Sequence, residues 1–173
     1  MNNSRNSMTK TKQLVLTALL FAVALVLSVV ENSFPPISAG IPGIKLGLSN
    51  IAVMFALFFL YKRQAFTIAV LKALFVLSTR GPIAGLLSLG GGVLSIAVMA
   101  LLVFVFKDRV SYLILSIFGS VSHNVGQFII ISILYTNMYL WVYLPVLLVA
   151  GVIAGIATST LLRFILPALK KLV

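Results

Sequence analysis

The sequence predicts an all-α integral membrane protein, a bundle of six transmembrane helices. Three observations carry this. Hydrophobic residues fill 61% of the 173 positions and charged residues only 9%, against roughly a quarter in soluble domains, so too few charges remain to cover a water-facing surface. Uncharged apolar runs recur along the whole chain, several near the roughly 17–25 residues that cross a bilayer as a helix. The basic residues stand singly or in pairs between those runs, where they act as topology signals.

The elements follow in order. Residues 1–12 are polar and basic, with Arg5, Lys10 and Lys12, and read as a short cytoplasmic lead. Residues 13–30 carry no charge and form the first span. A cleaved signal peptide fits less well: the apolar stretch exceeds the usual ~7–15 residues, and Glu31 and Asn32 stand where small residues are wanted. Residues 31–47 hold Pro35, Pro36, Gly40, Pro42 and Gly43, which exclude a continuous helix. The apolar Phe34, Ile37, Ile41 and Ile44 in this loop predict a lid packed on the bundle. The second and third spans, 48–61 and 64–79, are short and are separated by the Lys62-Arg63 turn. The fourth, 83–106, follows Arg80-Gly81-Pro82 and ends at Lys107-Asp108-Arg109. The fifth is 111–135. The sixth, 141–162, begins in a cluster of Tyr135, Tyr139, Trp141 and Tyr143 that suits the membrane interface. A single membrane domain is expected over 13–166, followed by a cytoplasmic tail at 167–173.

Six spans put both termini on one side of the membrane. With that side cytoplasmic, the inner segments hold Arg5, Lys10, Lys12, Lys62, Arg63, Lys107, Arg109, Arg163, Lys170 and Lys171, ten of the 13 basic residues. Lys45 and Arg80 alone fall in outer segments and Lys72 within a span. This asymmetry fits the positive-inside rule, and an odd number of spans would scramble it. The net charge of +11 is thereby used in topology, and its dispersal argues against a nucleic-acid surface. The chain has no cysteine, which excludes disulfides and thiolate chemistry. The two acids, Glu31 and Asp108, fall on opposite membrane faces and cannot work as a general acid–base pair. No metal-ligand cluster and no nucleotide motif is present. A non-enzymatic binder, or one subunit of a larger machine, is the expectation.

The polar residues inside the spans are the candidates for function. A lysine in hydrocarbon costs on the order of 3 kcal/mol, so Lys72 must face the interior, either paired with Glu31 or meeting an anionic group of a ligand. On the fifth span Gly119, His123 and Gln127 recur every four residues on one face, with Ser116, Ser120 and Asn124 as the neighbouring stripe. This seam is either a ligand pocket or interhelical hydrogen-bonding glue. Ser49 and Asn50, beside Lys45, open the second span and are expected to converge with Lys72, Arg80, His123, Asn124 and Gln127 in the outer half. Three glycines, Gly90 to Gly92, weaken the fourth helix by roughly 1 kcal/mol each relative to Ala, so either another backbone packs there or the helix breaks for a ligand. Two small-residue pairs, Ala18 with Ala22 and Gly151 with Gly155, allow close helix approach, within the bundle or against a partner.

At these residues a resemblance emerges. The stretch from Lys45 to Ile51 (KLGLSNI), the interior Lys72, the segment from Gly90 to Ser95 (GGGVLS) and His123-Asn124-Val125-Gly126-Gln127 resemble the Gx transporter family, also labelled heptaprenyl diphosphate synthase component I, over about residues 13–166. That family is similar to the substrate-binding S components of energy-coupling factor (ECF) transporters. The resemblance implies a six-helix binder with cytoplasmic termini in a bacterial plasma membrane. It captures a small vitamin-like, anionic or isoprenoid-related molecule from outside and passes it inward with a scaffold subunit and two ATPases. It further implies that Ala18 and Ala22 form the scaffold-docking face and that the Pro/Gly loop is the outer lid. No cofactor is expected. The synthase label would require paired Asp-rich motifs, and one Asp and one Glu cannot supply them. The rival function is a membrane anchor that holds a quinone or flavin for an extracellular electron-transfer system, with the His123–Gln127 seam gripping a carbonyl.

Overall fold

A computed structural model of the protein describes residues 9–33, 49–106, 110–135 and 140–170. Within them the chain forms six α-helices and no strand: α1 (Lys10–Ser33), α2 (Asn50–Phe59), α3 (Lys62–Arg80), α4 (Pro82–Phe106), α5 (Tyr112–Leu134) and α6 (Leu144–Lys170), the last preceded by a 3₁₀ turn at Leu140–Tyr143. The expected lid loop, the 107–109 turn and the last tail residues lie outside the described residues.

Four helices, α1, α4, α5 and α6, are long and apolar enough to cross a membrane. At 1.5 Å per residue each extends about 35–40 Å, beyond the ~30 Å hydrocarbon thickness. Their outward surfaces are apolar, with Leu14, Val26, Phe104, Ile133, Val149 and Phe164 all exposed. Such a surface is stable against lipid and not against water, and the protein is integral to the membrane.

The second helix is of another kind. Its ten residues reach only about 15 Å, and every position from Asn50 to Phe58 is buried. A helix that is apolar all round belongs inside a protein, and α2 is the core of this one. Leu16, Leu20 and Ala24 of α1, Ala65, Ile68 and Ala69 of α3, Met99 of α4 and Leu115 of α5 close around it. Phe58 meets the Tyr112 ring edge-on at 4.9 Å. The chain leaves α2 through Leu60 and extended Tyr61 directly into α3. The α3–α4 corner is equally tight. Gly81 adopts φ 88° and ψ 174°, a region essentially reserved for glycine, and Pro82 then opens α4 where its missing N–H is not needed.

Helices α4, α5 and α6 pack backbone to backbone. The α4 helix runs unbroken through Gly90, Gly91 and Gly92. Of the two readings of this glycine run, close packing is the one the structure takes: a Cβ on Gly126 of α5 would lie 2.7 Å from the Gly90 carbonyl oxygen. On the other side of α5, Gly151 and Gly155 press on the backbone of Val121 and Ile117, so this GxxxG pair is used inside the bundle. Hydroxyls stitch the same interfaces: Ser95 Oγ donates to the Gly119 carbonyl at 2.8 Å, and Ser116 Oγ to the Gly155 carbonyl at 2.8 Å.

Candidate functional site

Close packing of α4 against α5 and of α2 against its neighbours leaves one end of the bundle less filled. There a cavity of about 280 Å³ opens. Its walls are the C-terminal halves of α1 (Ser28, Glu31), α3 (Lys72, Val76, Arg80) and α5 (His123, Gln127, Ile131, Tyr135), with Ser49 before α2 and Ile83, Ala84, Leu87 and Ser88 at the start of α4. No α6 residue contributes among those described. Lys72 and His123 each stand near the middle of their helix, whereas Arg80 and Tyr135 lie at helix ends. Eight residues separate Lys72 from Arg80, so the cavity runs about 12 Å inward along α3, from the bundle end to the middle of the helix.

Lys72 is 3% exposed. Its ammonium donates to Ser49 Oγ at 3.0 Å and to Asn50 Oδ1 at 3.3 Å, both at the start of α2. An ammonium has three donors and no acceptor, so two neutral oxygens orient it and leave donor capacity toward the cavity. The Glu31 carboxyl lines the same cavity and acts electrostatically on Lys72. Arg80 adds a second cation, so the lining carries two positive groups against one negative. Asn50 stands behind Lys72, and its Nδ2 is buried without a hydrogen-bond partner.

On α5 the polar seam divides by face. His123 and Gln127 turn to the cavity, with Gln127 Nε2 3.3 Å from His123 Nε2. Asn124, one residue round the helix, does not line the cavity: its Nδ2 donates to the Leu147 carbonyl of α6 at 3.0 Å. Ser116, two turns earlier on that stripe, bonds α6 as well. The Asn124 and Ser116 stripe therefore binds α5 to α6, while on the other stripe Gly119 packs on α4 and His123 and Gln127 border the cavity.

Of the residues singled out in the sequence, the structure brings Lys72, Arg80, His123 and Gln127 around one cavity, with Asn50 as a support of Lys72. It places Asn124 in the α5–α6 interface. Lys45 lies outside the described residues. Ala18 and Ala22 are exposed on α1, on a face turned away from the bundle. Sequence reasoning passed over Ser28 and Ser88, and it assigned Tyr135 to the membrane interface, not to the cavity it lines. Ser28 was findable: the buried stripe of α1 runs Leu16, Leu20, Ala24, Ser28 and Glu31, and an apolar stripe that turns polar at its end signals a polar space beside it. Ser88 and Tyr135 carry no such pattern. Among the described residues no three His, Cys, Asp or Glu side chains gather in a way that could hold a metal ion.

What the arrangement can do is hold a small molecule: a partly apolar chamber with a fixed ammonium, an imidazole–amide pair and a guanidinium has the make-up of a ligand pocket. Comparison with known proteins agrees at the level of fold. The S component of a bacterial ECF transporter, as a solved structure, superposes with a TM-score of 0.57 at 20% identity, covering 94% of this chain and 95% of that one. No curated protein sequence matches the chain. The family model described as heptaprenyl diphosphate synthase component I matches residues 20–165. The chain, with an S-component-like fold and a polar cavity at one end of its bundle, belongs to the heptaprenyl diphosphate synthase component I family.

Proposed function

We propose that this protein is the substrate-binding component of an ECF-type transporter, and that the cavity between α1, α3, α4 and α5 is its substrate site. The observation that carries this reading is Lys72: a buried ammonium in the middle of its helix, held by two neutral oxygens and lining a cavity. Such a charge is costly in hydrocarbon and marks function by default. The excess of cations over acids favours an uncharged or anionic small molecule, bound through Lys72, Arg80, His123 and Gln127. Lys45, five residues before α2 in the sequence, would add to that preference as a further cation. Asn50 contributes through its hold on Lys72, and Asn124 by fixing the α5 register against α6.

The orientation follows from charge. Both termini face the cytoplasm of a bacterial cell, within a membrane domain over 13–166, and the cavity opens outward. Movement of the ligand inward requires energy that a chain without a nucleotide motif cannot supply, so the partners are a transmembrane scaffold and two ATPase subunits. The exposed Ala18 and Ala22 on α1 suit the scaffold: small side chains let another helix approach closely. The fold likeness to an S component supports this assembly. The protein acts as a carrier subunit and not as an enzyme. On this reading the synthase wording of the family describes no reaction of this chain, which has a single Asp and a single Glu.

Native mass spectrometry of the protein gently extracted from its own membrane tests the reading. A retained small molecule together with scaffold and ATPase subunits is the expected result. A retained quinone with a redox partner and no ATPase would assign the bundle instead to an electron-transfer system.

A further inference from the structure

A hydroxyl on an apolar helix usually finds a partner within the protein. Ser33 of α1 and Ser78 and Thr79 of α3 return theirs to the carbonyl four residues earlier, at 3.2, 3.0 and 2.8 Å. Ser95 of α4 donates across to α5. Ser28 of α1 and Ser88 of α4 do neither. They are only 4% and 7% exposed, both line the cavity, and neither hydroxyl has a hydrogen-bond partner among the described residues. The partnerless polar atoms sealed off by their surroundings include His123 Nδ1 and Gln127 Oε1, but not these two hydroxyls. Their unused bonding capacity is therefore turned to the cavity, and leaving it unmet there is a cost.

The two serines stand at nearly the depth of Lys72. Counted along each helix from the end that borders the cavity mouth, Ser28 lies about 8 Å in, Ser88 about 9 Å and Lys72 about 12 Å. Three helices thus present donors to one level of the chamber: the two hydroxyls and the ammonium, which spends two of its three donors on Ser49 and Asn50. The charged groups of the lining are Lys72, Arg80 and Glu31, a formal excess of one positive charge, so a single negative charge leaves the filled site neutral.

We propose that Ser28 and Ser88 are specificity-determining residues of this cavity, taken as the substrate site argued above, and that with Lys72 they select a ligand carrying a carboxylate. A carboxylate accepts from all three walls and supplies one negative charge. A carboxamide of the same shape supplies no charge and sets its own NH₂ donors against an ammonium that can only donate. A dianion such as a phosphate monoester overshoots the charge of the lining.

The probes for a test are 2-naphthoate, 2-naphthamide and 2-naphthyl phosphate, which share one apolar body and differ in the group offered to the wall. Titration calorimetry of the full-length purified protein is expected to show 2-naphthoate bound at least about tenfold tighter than 2-naphthamide, about 1.4 kcal/mol, and at least as tightly as the phosphate. Ser28→Ala and Ser88→Ala are each expected to weaken 2-naphthoate by roughly tenfold. Neither is expected to lower the melting temperature of the empty protein, because each removes a hydroxyl that bonds nothing in the chain. Ser95→Ala, which removes the bond to the Gly119 carbonyl, is the contrasting control: it is expected to melt lower and keep its affinity. Wild-type affinity in both Ser28→Ala and Ser88→Ala overturns the role of the two serines. Equal binding of naphthoate and naphthamide, tighter binding of the phosphate, or no binding of naphthoate overturns the carboxylate. In each of these cases the substrate-site reading is decided separately, by whether the protein extracted from its own membrane retains a small molecule in native mass spectrometry.

Discussion

Replacing Lys72 with methionine separates the two roles a buried lysine can have. The side chain keeps its length and loses its charge. Relief of the ammonium from a low-dielectric site returns about 2.5–3.5 kcal/mol on insertion scales. Against this, the bonds to Ser49 Oγ at 3.0 Å and Asn50 Oδ1 at 3.3 Å disappear, at about 1.5–3 kcal/mol for each charge-assisted bond. The net change in stability runs from a gain of about 0.5 to a loss of about 3.5 kcal/mol, so Lys72→Met is expected to fold. Ligand binding has no such compensation. Loss of one charge-assisted bond to a ligand oxygen costs about 1.5–3 kcal/mol, which is roughly 10- to 150-fold in affinity. The assay pairs thermal unfolding in detergent with native mass spectrometry of the retained molecule. Folded Lys72→Met that retains as much ligand as wild type would refute the argument, and Lys72 would then be a structural tie between α3 and the start of α2.

Three more outcomes follow from the same geometry. Gly126→Ala forces α4 and α5 apart, because its Cβ would meet the Gly90 carbonyl oxygen at 2.7 Å, and is expected to lose about 1–3 kcal/mol. Gly92→Ala meets only the Ala69 Cβ at an ordinary 3.5 Å and is expected to be neutral or stabilising by up to ~1 kcal/mol; equal melting temperatures for the two variants would contradict the packing described. Asn124→Leu removes the bond to the Leu147 carbonyl and is expected to cost about 0.6–1.7 kcal/mol with ligand retention unchanged, whereas His123→Ala is expected to lose ligand while still folding; affinity measurements on the purified variants distinguish them. Ala18→Trp combined with Ala22→Trp is expected to spare ligand retention and abolish coupled uptake, since both residues face away from the cavity; undiminished uptake would remove the α1 face as the scaffold contact.

The sequence by itself determined the solvent of this protein and the number of its helices. Hydrocarbon is demanded wherever charges are this scarce, and Lys62-Arg63 and Arg80-Gly81-Pro82 mark where apolar runs end, although the expected Lys62-Arg63 turn lies just before them at Leu60–Tyr61 and both residues begin α3. Lys72 and His123 were legible for the same reason: a costly group in an apolar run has to face something. What a one-dimensional pattern cannot convey is which neighbour each face meets. The apolar run of α2 looks like a short span, and only tertiary packing reveals it as a helix buried along its length. Gly90, Gly91 and Gly92 read equally as a helix break or a contact until Gly126 is seen pressed against them. Asn124 and Gln127, three residues apart, looked like members of one pocket, and the approach of α6 claimed the first while the gap between α3 and α5 left the second to the cavity. Burial costs belong to single residues and are written in the chain; hydrogen-bond partners and empty volume arise between helices, and only the folded bundle decides them.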